Sequence, residues 1–452
     1  MLRVTFFLLF SYGCCPLYAL TIAEIPALIR THNRDTLAAK AESEAAAEGV
    51  IAARARHYPS LDVKTSYFHL GQDIQLKFPP VTVTLPVTGV GLTFDLPSLE
   101  IQKRDVVLSH AMLTIPLFAG GRIQAGVEAA KAQKDEMSAM QSKVTEEKIV
   151  EALQRYFGTQ FAHEIVAILV QMRENLVRVQ GISESMVRTG LGAKFSVLQI
   201  RVAMAELDSR LAEARGKAEL ADLAFKTSVG KSSASSIQYE TPLVKTALPA
   251  RVDLFKAQAM KNRREFAVLK AKARQIQALK AVHTGELLPT VYAAGAYRLY
   301  SSSELLLQPN WGVGVVMEIP LSAWLVSWPQ RQKALKLEEK VDILTAKANE
   351  EIPLEVEKIH TEAKAIDAVY RAAEEGVNMA REALRLAEIR YKQGSGSSLE
   401  VLTSATELEK LEIQKAGRIE EFNRKIVDLY FASGEVELYV EAYQNFLAST
   451  KK

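Results

Sequence analysis

The sequence is written twice, and this limits its fold more than any other feature. Ile115-Pro116-Leu117 returns as Ile319-Pro320-Leu321, 204 positions on. At the same offset Gly190-Leu191-Gly192 returns as Gly394-Ser395-Gly396, Val197-Leu198 as Val401-Leu402, and Val229-Gly230-Lys231 as Ser433-Gly434-Glu435. Length alone would suggest two to four compact domains, but internal repetition overrides that prior. Each copy has 74 residues from the Ile-Pro proline to the first glycine of the following turn, and 40 from there to the terminal glycine. As a helix the longer stretch would reach roughly 110 Å at 1.5 Å per residue. Helices that line one tube must match in length, or one end is left ragged. Upstream, Tyr58-Pro59-Ser60-Leu61 resembles Leu288-Pro289-Thr290-Val291 at an offset of 230, so the first copy carries 26 extra residues between Pro59 and Pro116.

Within each copy the order reads helix, two strands, long helix, glycine turn, helix. Residues 21 to 57 and 251 to 285 are rich in Ala, Glu, Lys and Arg, which are good helix formers; only Pro26 interrupts, near the start. Leu153, Phe157, Phe161, Ile165, Ile168, Met172, Leu176, Val179, Ile182 and Met186 recur every three to four residues, forming one apolar stripe. Leu402, Leu408, Ile419, Phe422, Ile426 and Leu429 lie at compatible intervals on the last helix. Stripes this long predict helix-on-helix packing of coiled-coil kind. Pro353 should kink the second long helix or divide it in two.

The strands alternate with period two. Trp311, Val313, Val315, Met317 and Ile319 face one way, and Gly312, Gly314 and Glu318 the other. Val291, Ala293, Gly295, Tyr297 and Leu299 form a similar set, and Leu61, Val63, Thr65 and Tyr67 another. Segments of this length, apolar on one face and polar or small on the other, fit a membrane β-barrel. Four strands cannot close one, and lipid does not tolerate an open edge, so copies must join to complete the wall. Tyr292, Tyr297, Tyr300, Trp311, Trp324 and Trp328 cluster around these strands, where an aromatic girdle would sit; simple packing is the competing reading.

The first nineteen residues read as a secretory signal. Arg3 supplies the positive end, Val4 to Phe10 the apolar stretch, and Leu17-Tyr18-Ala19 a cleavage site ending in a small residue. Both cysteines, Cys14 and Cys15, fall inside it, so cleavage after Ala19 leaves a chain without thiols; lipid attachment at Cys14 or Cys15 is the alternative. After the signal no run of eighteen apolar residues encodes a transmembrane helix. With 24% charged residues, few Pro and Gly, and a net charge of +3 spread along helical stretches, the composition implies folded, solvated helices and no nucleic-acid partner.

Nothing in the sequence asks for chemistry. The seven histidines show no paired metal spacing, and His163-Glu164 lacks the second His of a zinc helix. Gly312-Val313-Gly314 lies in a strand pattern without a dinucleotide-binding context, and no phosphate-binding loop is present. We therefore expect no enzyme, no cofactor and no metal site.

At this point the residues resemble the TolC family of outer-membrane efflux and secretion channels. The marks are Ile-Pro-Leu-Phe-Ala-Gly-Gly-Arg at 115 to 122, the Tyr-Pro-Ser-Leu and Leu-Pro-Thr-Val strand starts, and Arg251-Val252-Asp253-Leu254. To these add Arg390-Tyr391-Lys392-Gln393-Gly394 leading into Leu399-Glu400-Val401-Leu402. The resemblance implies a mainly α fold with a small β-barrel contribution. Three copies would make a 12-stranded barrel on an α-helical, coiled-coil tunnel in the outer membrane and periplasm. It also implies a periplasmic adaptor protein and an inner-membrane pump or ABC exporter as partners, with small molecules or proteins passing unchanged.

On this reading the chain divides into a signal peptide at 1–19, a first repeat at 20–230, a linker at 231–250, a second repeat at 251–435 and a C-terminal tail at 436–452. Strands are expected at about 60–72, 104–117, 289–301 and 310–320, with a proline-rich extracellular loop at about 73–103. Thr189, Gly190 and Leu191, and Gly394, Ser395 and Gly396, correspond to tips that adaptor hairpins contact. Arg381, Glu388 and Tyr391 correspond to a periplasmic gate of acidic rings and inter-helix salt bridges, and Tyr292, Tyr297, Trp311, Trp324 and Trp328 would sit at the membrane interface. Two departures stand out. Gly181 occupies the place of a partnering Asp, and Arg385 that of another acidic residue, so the gate is expected to be wired differently. The second Ile-Pro-Leu runs into Ser322-Ala323-Trp324 rather than Phe-x-Gly-Gly-Arg. The rival to a channel is an exported coiled-coil scaffold without a pore.

Overall fold

The computed structural model describes residues 18–86, 89–231, 237–239, 242–302 and 309–450. Most of the signal segment, with Cys14 and Cys15, lies outside them. The chain forms two compact units, one of residues 1–44, 136–270 and 343–452, the other of 45–135 and 271–342. Among the described residues no helix is long and apolar enough to cross a membrane.

A short strand β1 (Tyr18–Leu20) leads through a 3-10 turn into helix α1 (Ile25–His32) and then α2 (Arg34–Ala55). The second repeat opens in the same way, with α5 (Val252–Asn262) followed by α6 (Arg264–Gly285). The breaks at Asn33 and Arg263 are 230 residues apart, so the offset read from the strand starts also governs these helices. The long helices α3 (Arg122–Arg188) and α7 (Trp324–Lys392) have 67 and 69 residues. Each is roughly 100 Å long at 1.5 Å per residue. Their return helices, α4 (Lys194–Ser228) and α8 (Ser398–Ala432), both have 35 residues and sit 204 apart. The second long helix is continuous through Pro353, so of the kink or junction expected there the junction is absent. Proline removes one donor to the carbonyl four residues back. That carbonyl belongs to Asn349, which is exposed, so water can replace the donor.

The apolar stripes pack as expected. Leu169, Met172, Leu176 and Val179 of α3 meet Ile200, Leu207 and Leu211 of α4, Val377, Leu384 and Tyr391 of α7, and Val401 and Leu408 of α8 in one core. Each such side chain contributes about 1.5–3 kcal/mol on full burial. A second core gathers Ile25, Leu153, Tyr156, Phe157, Phe225, Phe422, Tyr439 and Tyr443. The last two belong to α9 (Val436–Thr450), so the segment expected as a C-terminal tail at 436–452 holds a helix whose Val436, Tyr439, Val440 and Tyr443 form a buried face.

The linker at 231–250 is also tied down. Its strand β8 (Ile237–Tyr239) pairs in parallel with β1. Further on, Asn423 on α8 accepts from the Thr246 amide at 3.2 Å and donates to the Val244 carbonyl at 2.8 Å. The Lys245 ammonium lies 2.7 Å from Asp367 and 4.3 Å from the Phe422 ring centre. Residues 242–250 thus form a strap over α7 and α8.

The second unit holds the main sheet, whose strands are ordered β10 (Trp311–Glu318), β9 (Thr290–Ser301), β7 (Asp105–Phe118) and β2 (Ser60–His69), antiparallel throughout. The extra segment of the first repeat is not an irregular loop. Strands β3 (Ile74–Leu76) and β6 (Leu99–Gln102) pair, as do β4 (Val81–Thr84) and β5 (Gly91–Phe94), as two antiparallel ribbons.

Candidate functional site

Cross-strand register decides what the sheet can do, because residues paired across a sheet share a face. One row runs Leu61, Leu113, Gly295, Val313, and the next runs Val63, Ala111, Tyr297, Trp311. On the other face the rows run Ser60, Thr114, Ala294, Gly314, then Asp62, Met112, Ala296, Gly312, with Lys64, His110 and Arg298 beyond. One face is therefore mainly apolar and the other mainly polar or small, with Met112 and, at the helix-side end, Val316 as exceptions. The apolar face is bare in the single chain: Leu61 is 71% exposed and Val313 79%. Such a surface exceeds what a water-soluble monomer leaves open. Among the described residues both edge strands, β2 and β10, have unpaired sides.

The aromatic set is only partly brought together. Tyr297 and Trp311 are direct partners on the apolar face. Tyr292 lies five residues along β9 from Tyr297, and so on the opposite face, where it pairs with Val316 and Pro116. Trp324 and Trp328 are exposed on the first two turns of α7, with the Arg331 guanidinium 5.6 Å from the Trp328 ring centre.

The two helical turns have matching backbones. Gly190 and Gly394 have φ of +74° and +76°. The amides of Leu191 and Gly192 both reach the Met186 carbonyl, and those of Ser395 and Gly396 the Arg390 carbonyl. This six-to-one closure requires the left-handed conformation that glycine adopts without penalty. Thr189 caps the first turn by donating to the Ser185 carbonyl at 3.2 Å. Leu191 at one tip is 79% exposed, while its counterpart is Ser395.

The segment from Arg381 to Tyr391 on α7 faces three different neighbours. Arg381 donates to Glu412 on α8 at 2.8 Å. The buried Tyr391 hydroxyl donates to Ser183 on α3 at 2.8 Å. Arg385 makes two bonds, 2.7 and 2.8 Å, to Glu382 on its own helix, which holds the Glu382 carboxyl below its ordinary range. Glu388 is half-buried and makes no ion pair among the described residues. A Cβ at Gly181 would meet open space, so the missing acidic partner reflects residue choice rather than crowding. Deeper in the same bundle Arg210 of α4 pairs with Glu409 of α8, whose carboxyl is pushed up by burial against the pull of that arginine. Sequence reading missed Glu412, Ser183 and Glu409. None of the three left a signal: Ile182, beside Ser183, carries the apolar stripe on from Val179 to Met186. Among the described residues no cluster of His, Cys, Asp or Glu is arranged to hold a metal.

The family model described as outer membrane efflux protein matches residues 25–231 and 256–435. No curated protein matches the sequence. Among solved structures, the chain is similar to the CmeC outer membrane channel of Campylobacter jejuni, with TM-score 0.72 and 16% identity over 92% of this chain and 86% of that one. It is likewise similar to the outer membrane protein VceC of Vibrio cholerae, with TM-score 0.71 and 16% identity over 92% and 96%. The open state of the MtrE outer membrane channel of Neisseria gonorrhoeae gives 0.70 and 16% over 92% and 89%.

Proposed function

This chain belongs to the outer membrane efflux protein family, and on that premise we propose that three copies close one barrel and form a passive exit duct. The amphipathic four-stranded sheet carries this reading. Its apolar face suits lipid, its polar face a water-filled lumen, and its free edges a neighbouring copy. Strands β2 and β10 run in opposite directions, so β2 of one copy beside β10 of the next continues the antiparallel pattern. Three sheets of four strands then make twelve.

Tyr297, Trp311, Trp324 and Trp328 would anchor the wall at the membrane interface. The turns at Thr189, Gly190 and Leu191 and at Gly394, Ser395 and Gly396 would receive the hairpins of a periplasmic adaptor, itself coupled to an inner-membrane pump or ABC exporter. Arg381, Glu388 and Tyr391 would form the gate, with Glu412 and Ser183 as the partners that hold it shut. Glu388, unpaired within its own chain, would face its symmetry copies across the duct axis.

The mass of the purified chain in detergent, by light scattering corrected for bound detergent, tests the assembly. We expect three copies per particle and precipitation when detergent is removed. A monomer that stays in solution without detergent would favour the scaffold reading instead.

A further inference from the structure

The segment that sets the first repeat apart from the second folds as an arm. Among the described residues its strands pair only with each other, β3 with β6 and β4 with β5, and none joins the main sheet. Register gives the outer ribbon two unlike faces. On one, Val81 pairs with Phe94 and Val83 with Leu92. On the other, Thr82 pairs with Thr93 and Thr84 with Gly91, and the Thr82 and Thr93 hydroxyls lie 3.3 Å apart. The inner ribbon adds the pair Leu76 and Leu99. Every described residue from 71 to 100 is exposed, Phe94 to 55%. A two-stranded ribbon is marginal at best in water, so a face this apolar calls for a cover.

Lipid is a poor cover. Strand β2 has 10 residues, which at a tilt of about 40° span roughly 25 Å, the height of the apolar band of an outer-membrane barrel. A collar of His69, Asp73, Lys103, Arg104 and Asp105 then separates sheet from arm. Tyr67 and His69 both bond Asp105, at 2.6 and 2.7 Å, and the Arg104 amide donates to Asp73 at 2.6 Å. Charged groups keep to water, so the arm begins beyond the bilayer. Sister copies, by contrast, are within reach. Twelve strands about 4.8 Å apart and tilted by about 40° close into a barrel of radius roughly 12 Å. An extended chain from Ile74 to Thr84 covers up to roughly 35 Å. The arm also continues the β2–β7 hairpin, and β2 is the edge strand that meets the next copy in the three-copy barrel.

We propose that the three arms of one particle pack their apolar faces, Val81, Val83, Leu92 and Phe94, against one another around the three-fold axis, as a cap beyond the barrel mouth. The threonine faces stay in water. This rests on the three-copy reading above and adds to it a second contact between copies, outside the membrane.

The test uses the full chain in detergent, in particles whose mass is that of three copies; any other mass would remove the three-copy reading itself, and the cap with it. Leu92→Cys and Thr93→Cys are neighbours on β5 that face opposite sides, and Val83→Cys lies across from Leu92. With a short bis-maleimide linker, Leu92→Cys and Val83→Cys should each convert the larger part of the chains into linked pairs on a denaturing gel. Thr93→Cys should stay at the level of the parent chain. A bimane label on Leu92→Cys, in vesicles of brominated phospholipid, should keep the emission it has in unbrominated ones. Equal linking at all three positions, no linking above the parent in intact trimers, or strong quenching by brominated lipid would overturn the cap, the last by placing the apolar face on lipid.

Discussion

Asp428 on α8 is half-buried and accepts from Gln154 at 2.7 Å, and loss of hydration holds its carboxyl above the ordinary range. Burial does the same to Glu409 and Glu420 on that helix. A carboxyl with a higher pKa folded than unfolded binds protons more tightly in the fold. Its contribution favours the fold at low pH and is lost as pH rises through the folded pKa. Asp428→Asn keeps an acceptor for Gln154 and removes the charge. The variant should be at least as stable as the parent near about pH 7, and gain less on acidification down to the ordinary carboxylate range at about pH 4. Thermal melts across that range decide it; a less stable variant with an unchanged pH slope would contradict the account. At this scale glycine was the most legible residue. Gly230 and Gly434 were picked out by the repeat, and both have positive φ where a Cβ would collide, with the His32 carbonyl at 2.4 Å and the Asn262 carbonyl carbon at 2.8 Å. The partners of Arg381 and Tyr391 were not legible, because they depend on how four helices rotate against one another.

At the scale of elements, strand register makes the sharpest claim. Val313 and Gly314 are neighbours on β10 that face opposite sides of the sheet. An arginine facing lipid costs roughly 2–4 kcal/mol near the bilayer midplane, while lumen substitutions mainly tune selectivity. Val313→Arg should therefore sharply reduce the membrane-inserted fraction, and Gly314→Arg should leave it near the parent level, as read by flotation of reconstituted vesicles. Equal losses would mean that the two faces are not lipid and lumen. Element order, the helix pairs and the strand alternation could all be read from the sequence, because each rests on a local period and on lengths repeated at fixed offset. The continuity of α7 through Pro353 could not, since exposure of Asn349 decides it. The two ribbons at 74–102 were hidden by their prolines, all four of which lie between the short strands rather than within them. Helix α9 was hidden because it lies beyond the second copy, with no repeated counterpart to mark it.

For the whole molecule, the family explains why a chain with no membrane-spanning helix among its described residues carries a bare apolar sheet, and why two copies of one pattern were kept at equal length. Four strands per chain make assembly a condition of membrane insertion rather than an addition to it. On the proposed reading gating would be a matter of contacts between long helices, and Arg381 with Glu412, its arginine side chain 62% exposed, is the contact to perturb. Single-channel conductance of the purified protein in a planar bilayer tests the central claim most directly. The account predicts discrete, long-lived steps whose size rises in Arg381→Ser. A protein that never inserts, or steps that Arg381→Ser leaves unchanged, would contradict the pore in the first case and the gate in the second.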